Sequence, residues 1–293
     1  VLARFLVRVM DAQAVWTKPV GDLAHRFLHW LFHLMPPVRD LLNGRWLGHP
    51  LHAVLTDAPI GILFLVIVFD VVHEPFAAVV TLTIGILAML AAALAGFADY
   101  ADTDGRARER ATLHSTLMLV ALVGYLVSLV LRTGSGAVPD AAVWTSIGSF
   151  LILAAGAYVG GDVVYLLGNM VSRHAFRGAG TKWIALEPAE LEADGSIPVG
   201  RPVRAKLGIN GLVLVNDGTR ILALHDTCAH AGGPLPDGRL VEGQIECPWH
   251  ASRFELATGH VRRGPAVYDQ PAYDVREREG GGWEARRRSA GGG

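Results

Sequence analysis

Cys228-Ala-His230 and, after sixteen intervening residues, Cys247-Pro-Trp-His250 each offer one thiol and one imidazole. Thiolates and neutral imidazoles are side chains that hold iron and zinc. Two mixed pairs suit a 2Fe-2S cluster in which one iron takes both sulfurs and the other both nitrogens. A zinc tetrahedron is the competing chemistry, although zinc loops usually bring two ligands of one kind. The chain has only two cysteines, so the motif uses both and leaves none for a disulfide. The cluster reading makes this a protein that moves single electrons.

The flanking residues carry further information. Ile221-Leu-Ala-Leu-His-Asp-Thr precedes the first pair and Ala231-Gly-Gly-Pro-Leu follows it. The second pair continues as Ala251-Ser-Arg-Phe, and Gly264-Pro265 supplies a third loop. On these residues the stretch 181–279 resembles the Rieske ferredoxin family along nearly its whole length. The resemblance implies that Cys228 and Cys247 bind a buried iron and that His230 and His250 bind an outer, more exposed one through which electrons leave. It also lets Ser252 donate a hydrogen bond to the cluster. Two positions depart from the pattern: Ala229 stands where many relatives have proline, and Ala251 replaces the glycine after the last ligand, which bears on the local turn.

Relatives in respiratory cytochrome bc complexes add a disulfide between the loops and set a tyrosine hydroxyl against a ligand sulfur. Here Phe254 stands in the tyrosine's place and no further cysteine exists. Hydrogen bonds and charge tune such centres from about -150 to +300 mV, so a missing donor points to a low, ferredoxin-like potential. His225 lies outside the motif and reads as an ordinary strand-end histidine. Trp249 reads as a packing shield for the cluster.

The loops need short strands to hold them. Residues 203–207, 212–215 and 221–224 are credible strands, bounded by the turns Gly208-Ile-Asn-Gly and Asn216-Asp-Gly. The C-terminal half is therefore expected to be all-β, with two ligand loops at one tip.

The N-terminal half is different material. Mean hydropathy is +0.34 and 51% of residues are apolar, with the excess concentrated before residue 170. Four stretches, 53–73, 77–97, 113–132 and 143–167, reach the roughly twenty residues that cross a bilayer. Glycines such as Gly85, Gly96, Gly124, Gly156 and Gly160 recur along them, as helices that pack closely in lipid require. The expected fold is an N-terminal all-α four-helix transmembrane bundle followed by the all-β Rieske domain. The expected domains are an interfacial segment 1–48, the bundle 49–168, a linker 169–180, the cluster domain 181–279 and a disordered tail 280–293.

Lys and Arg set the orientation. Arg4, Arg8, Lys18, Arg26, Arg39 and Arg45 precede the first crossing, Arg106, Arg108 and Arg110 join the second to the third, and Arg173, Arg177 and Lys182 follow the fourth. The opposite side offers only Arg132. The positive-inside rule then puts both termini and the Rieske domain in the cytoplasm of a multi-pass cell-membrane protein. No cleavable signal is recognisable before the first span.

Gly48-His-Pro-Leu-His52 opens the first crossing. With His114 at the start of the third helix, residues 45–168 resemble a family of small four-helix membrane domains that begin His-Pro-x-His and have no established activity. Both histidines should lie at similar depth, with Asp57 one turn deeper and Asp99 and Asp162 near the same face. These readings stay open: a b-type haem between His52 and His114, a quinone site with a histidine and Asp57 exchanging protons, a bound metal, or a structural pairing of His114 with Asp57. His25, His29 and His33 share one side of a candidate interfacial helix, 23–35, ended by Pro36-Pro37, with a metal stripe as the sharper alternative. Asp70 and His73 read as an interface pair.

A formal net charge of -1 gives no steer towards nucleic acid, and no phosphate-binding glycine loop is present. A Rieske oxygenase is disfavoured because so little follows Glu279. The expected partners are a redox protein and the lipid bilayer, and the small-residue faces suit a homodimer. Two functions remain, a membrane-tethered ferredoxin or a complete membrane oxidoreductase module with a cofactor in the bundle.

Overall fold

The computed structural model describes residues 2–134, 138–175 and 182–288. Arg177, the end of the expected linker and residues 289–293 of the expected tail lie outside the described residues. The chain divides into two units, 1–44 with 49–169, and 45–48 with 170–293.

The first unit is helical: α1 (Leu2–Ala12), α2 (Ala14–Leu34), α3 (Pro36–Asn43), α4 (Leu51–Val71), α5 (Pro75–Tyr100), α6 (Gly105–Leu131) and α7 (Asp140–Gly161), whose last turn widens into a π turn over Asp162–Leu166. Prolines set several starts, because a first-turn residue needs no N–H: Pro36 opens α3 and Pro75 opens α5. Gly44, at φ 83°, closes α3 in the left-handed conformation that glycine takes without strain. Pro36-Pro37 therefore separates two helices instead of ending the only one.

Helices α4 to α7 are long and apolar enough to cross a membrane, at 21, 26, 27 and 27 residues with the π turn included. At about 1.5 Å per residue each exceeds or matches a hydrocarbon core of roughly 30 Å. The bundle pairs α4 with α5 and α6 with α7, and closes through α5–α6 and α4–α7. Leu63, Val66, Leu82, Ile86, Met89, Leu122, Tyr125 and Leu153 fill its interior, while Phe64, Leu87, Leu94, Val123, Val130 and Leu151 face outward. Glycines permit the approach: a Cβ on Gly85 would sit 2.5 Å from Leu63, and one on Gly124 2.1 Å from Ser149 Oγ.

Charges tie down both ends. Arg132 reaches from the end of α6 to Asp70 on α4 with two bonds of 2.6 Å, and Ser128 and Ser146 complete the buried cluster. This corrects the expected Asp70–His73 pair, since His73 is exposed. At the other end Arg39 pairs with Asp102, Arg108 with Asp22, and Arg110 with both Asp11 and Asp162. These pairs dock the N-terminal helices on α5 and α6. Helix α2 starts at Ala14, earlier than expected, and half-buries His25 and His29 while His33 stays exposed; His29 Nδ1 bonds the Ala101 carbonyl at 3.3 Å. His25, His29 and His33 stack at 5.4 and 5.6 Å, leaving Leu23, Phe27, Trp30 and Leu34 exposed in one stripe.

The second unit is a closed antiparallel barrel, ordered β1 (Ile184–Pro188), β10 (Trp283–Arg287), β9 (Ala272–Glu277), β4 (Ile221–His225), β3 (Asn210–Asn216), β2 (Pro202–Leu207), and a sheet of β5 (Arg239–Val241), β6 (Gln244–Glu246), β7 (Arg253–Glu255) and β8 (Val261–Arg263). The expected tail is corrected here. Gly280, Gly281 and Gly282 all have φ above +80° and turn the β9–β10 hairpin, which closes the barrel against β1. A glycine run that reads as disorder is a turn when strands flank it. The linker is also corrected in its described part: Tyr268 Oη donates to the Met170 carbonyl, and the His174 ring lies 4.6 Å from that of His225. These residues pack on the barrel unit.

Candidate metal centre

The two ligand segments are loops, one between β4 and β5 and the other between β6 and β7. Backbone bonds shape the first: Cys228 N–H donates to the Gly233 carbonyl at 2.8 Å, and Gly232 N–H donates back to the Cys228 carbonyl at 3.0 Å. The second has the same form, with Cys247 N–H on the Ser252 carbonyl and Ala251 N–H on the Cys247 carbonyl. Ala251 sits at φ 60°, so it adopts the turn that a glycine would make and carries the strain of doing so. The third loop bends at the cis bond Gly264–Pro265.

These loops sort the four residues by type. Cys228 and Cys247 are buried at 1% and 3% exposure, whereas His230 and His250 are half-buried with ring centroids 5.0 Å apart. N–H groups of His230 and Ala231 point at the Cys228 sulfur, and those of Trp249 and His250 at the Cys247 sulfur. Such donors favour thiolate. The two thiols also share a proton: its bond draws Cys247 down to about 7, while the same bond and burial push Cys228 well up. A metal that binds both sulfurs must displace that proton.

The residues fit a 2Fe-2S cluster better than one zinc. Among the described residues no three His, Cys, Asp or Glu side chains gather as a single metal ion needs; the ligands fall instead into a sulfur pair and a nitrogen pair. Gly233 keeps the sulfur side open, because a Cβ there would lie 2.7 Å from Cys247 Sγ and 3.0 Å from the Trp249 ring. Ser252 is fully buried, and its Oγ accepts the Ala266 N–H at 3.0 Å. Its own proton is thus available to a sulfide. Phe254, also fully buried, packs in one core with both cysteines and brings no donor. Trp249 is 52% exposed and lies against Gly233, so the expected packing residue covers this loop while part of its ring meets solvent.

Three supports had no motif to announce them. Gln270 is 2% exposed; its Nε2 donates to the His225 and Thr227 carbonyls at 2.7 Å and its Oε1 accepts Ala229 N–H at 2.9 Å. Glu246, just before Cys247, binds Arg239 and Arg253 at 2.7 and 2.6 Å. Burial alone would raise this carboxyl, but the two guanidiniums hold it below its usual range. His174 is the third, its ring tilted at 53° against that of the strand-end His225. Of the bundle residues, His52 and His114 meet at 6.1 Å, Asp162 binds Arg110, and Asp99 is buried. Asp57 is exposed and His114 bonds a backbone carbonyl, so the expected His114–Asp57 pairing is not formed.

Residues 187–274 match the Rieske [2Fe-2S] domain. Over 87 residues the chain is 33% identical to the ferredoxin component of the 2,4-dinitrotoluene dioxygenase system of Burkholderia sp. (strain RASC), covering 30% of this chain and 84% of that protein. It is 32% identical over 77 residues to apoptosis-inducing factor 3 of Mus musculus, a match that takes in 26% of this chain and only 13% of that protein's length. Among solved structures, the ferredoxin of carbazole 1,9a-dioxygenase from Nocardioides aromaticivorans is 29% identical, with a TM-score of 0.29, over 34% of this chain and 96% of that one. Through a C-terminal domain that carries both Cys/His loops, this chain belongs to the Rieske [2Fe-2S] family.

Proposed function

We propose that the chain is a membrane-anchored Rieske protein that carries single electrons between a membrane-side partner or cofactor and a cytoplasmic redox protein, at low, ferredoxin-like potential. The observation that carries this reading is the pairing of buried sulfurs with half-exposed imidazoles in a chain that also has four membrane-length helices. Cys228 and Cys247 would hold one iron, His230 and His250 the other, and the bound cluster would supply one-electron chemistry. The protein's part is to keep the sulfurs dry and hydrogen-bonded and to leave the imidazole edge accessible. Beside that edge Pro248 and the open face of Trp249 offer an apolar contact for a partner. The ferredoxin components among its relatives favour a protein as that partner.

The anchor belongs to the same reading. Basic residues crowd the segments that precede α4, join α5 to α6 and follow α7, which favours a cytoplasmic cluster domain in the cell membrane. Residues 45–168 keep their resemblance to the His-Pro-x-His membrane family. Self-association through α4 would take the exposed Asp57, Ala58 and Gly61 out of lipid. A second reading, in which the bundle itself holds a redox cofactor, is favoured by the meeting of His52 and His114.

The test is metal and sulfide analysis of detergent-purified full-length protein with a redox titration on the same sample. About two iron and two sulfide per chain, with visible colour bleached by dithionite, are expected. One zinc per chain and no redox-active colour would sink the proposal.

A further inference from the structure

One construction occurs twice in the bundle, and each copy presents a histidine to the other. His52 of α4 bonds through Nδ1 to the Ala92 carbonyl of α5 at 2.8 Å, and His114 of α6 bonds through Nδ1 to the Gly156 carbonyl of α7 at 2.8 Å. Four residues beyond each acceptor stands a glycine, Gly96 or Gly160. A Cβ at either position would lie 2.9 Å from the imidazole seated on it. Each helical hairpin thus makes a flat seat and a carbonyl anchor for one ring.

The anchors decide the tautomer. A carbonyl only accepts, so Nδ1 carries the proton in both rings and Nε2 keeps its lone pair. A backbone carbonyl on the second nitrogen is the usual outer support of an imidazole that binds a metal. The ring centroids are 6.1 Å apart and the planes are crossed at 73°. Two metal–nitrogen bonds of about 2.0–2.1 Å, with roughly 1.1 Å from each nitrogen to its ring centre, put trans imidazoles about 6.3 Å apart. The observed centroid separation of 6.1 Å matches that spacing.

What would surround a metal there follows from the ligand supply. Among the described residues no third His, Cys, Asp or Glu joins the pair, so the protein alone would offer only two donors. A haem brings its own four equatorial nitrogens and takes histidine as an axial ligand. A quinone would instead need a proton-exchanging group close by; Asp57, the acid expected for that role, is exposed on α4. We propose that His52 and His114 are the two axial ligands of a single non-covalently bound haem, held between the α4–α5 and α6–α7 hairpins. The proposal rests on the electron-carrier reading for its purpose, and deepens it by making the bundle a cofactor unit as well as an anchor.

Haemin titrated into detergent-solubilised full-length protein is the experiment, followed by optical and electron paramagnetic resonance spectra with the cluster signal read in the same tubes. About one low-spin haem per chain is expected. His52→Ala and His114→Ala should each lower haem affinity at least about tenfold, and added imidazole should restore the low-spin spectrum in His114→Gly. Helical circular dichroism and an undiminished cluster signal report that each variant has folded. Wild-type protein that takes up no haem while keeping its cluster overturns the assignment, as does low-spin haem that persists unchanged in both variants. Haem bound as described in a chain without a cluster signal would support the assignment and defeat the carrier reading, so the two fail separately.

Discussion

At residue 254 one missing oxygen has a measurable consequence. Phe254 is fully buried in the core that contains both cysteines, at the position where the resemblance to cytochrome bc relatives implies a tyrosine hydroxyl against a ligand sulfur. One hydrogen bond is worth about 1 kcal/mol, or roughly 40 mV for a one-electron couple. A donor stabilises the more negative reduced cluster, so Phe254→Tyr should raise the midpoint potential by about that amount, and Ser252→Ala should lower it similarly. Protein-film voltammetry on the two variants would check both signs. Ala251 offers a second test. Its left-handed backbone, φ 60°, costs an L-residue about 1–2 kcal/mol, of which glycine's extra freedom in the unfolded chain returns part. Ala251→Gly should stabilise the domain by about 0.5–1 kcal/mol in denaturant unfolding of cluster-loaded protein; a loss of stability would show that the methyl group packs usefully.

Among the elements, the far end of the bundle depends on one ion pair. The side chains of Asp70 and Arg132 are 2% and 0% exposed, and two bonds of 2.6 Å join α4 to α6 there. Removing one partner from a buried pair leaves the other charge uncompensated, which costs about 3–5 kcal/mol. Arg132→Leu should therefore destabilise the bundle by that order in detergent unfolding. Adding Asp70→Leu should recover most of the loss, because an apolar replacement of both partners is often neutral. Equal losses in the single and double variants would mean that the serines around the pair, Ser128 and Ser146, set the stability of this end.

For the whole molecule, the arrangement of charge predicts which side of the membrane carries the cluster. Arg132 is the one basic residue between α6 and α7, against the many that precede α4, join α5 to α6 and follow α7, so the count of Lys and Arg favours the other side. Reporter fusions should place the C-terminus in the cytoplasm and an insertion after Arg132 outside. The opposite result would put the Rieske domain on the outer face and exclude a cytoplasmic partner. The docked α1–α3 segment carries the exposed stripe Leu23, Phe27, Trp30 and Leu34, which suits the headgroup level.

The chain's residues determined by themselves the two halves and the metal chemistry. Apolar runs of twenty residues or more have few uses besides crossing a bilayer, and four ligands in two mixed pairs have few besides a two-iron cluster. Glycine at 96 and 160 was legible as close packing, because only the absence of a side chain permits it. What surrounds those features needed tertiary contacts. Whether Gly280–Gly282 is a tail or a turn depends on β10 finding β1, a pairing almost a hundred residues apart. Asp70 had His73 three residues on, just past the end of its helix, and took Arg132 from another helix instead, since a buried carboxylate gains more from a bidentate guanidinium than from an exposed imidazole. Gln270 carries no signature at all, for its role lies in which three backbone groups happen to converge on it. The distance of 6.1 Å between His52 and His114 is likewise a property of how two hairpins pack. Local periodicity and ligand type are written in a sequence; the partner of a buried polar group is chosen by the fold.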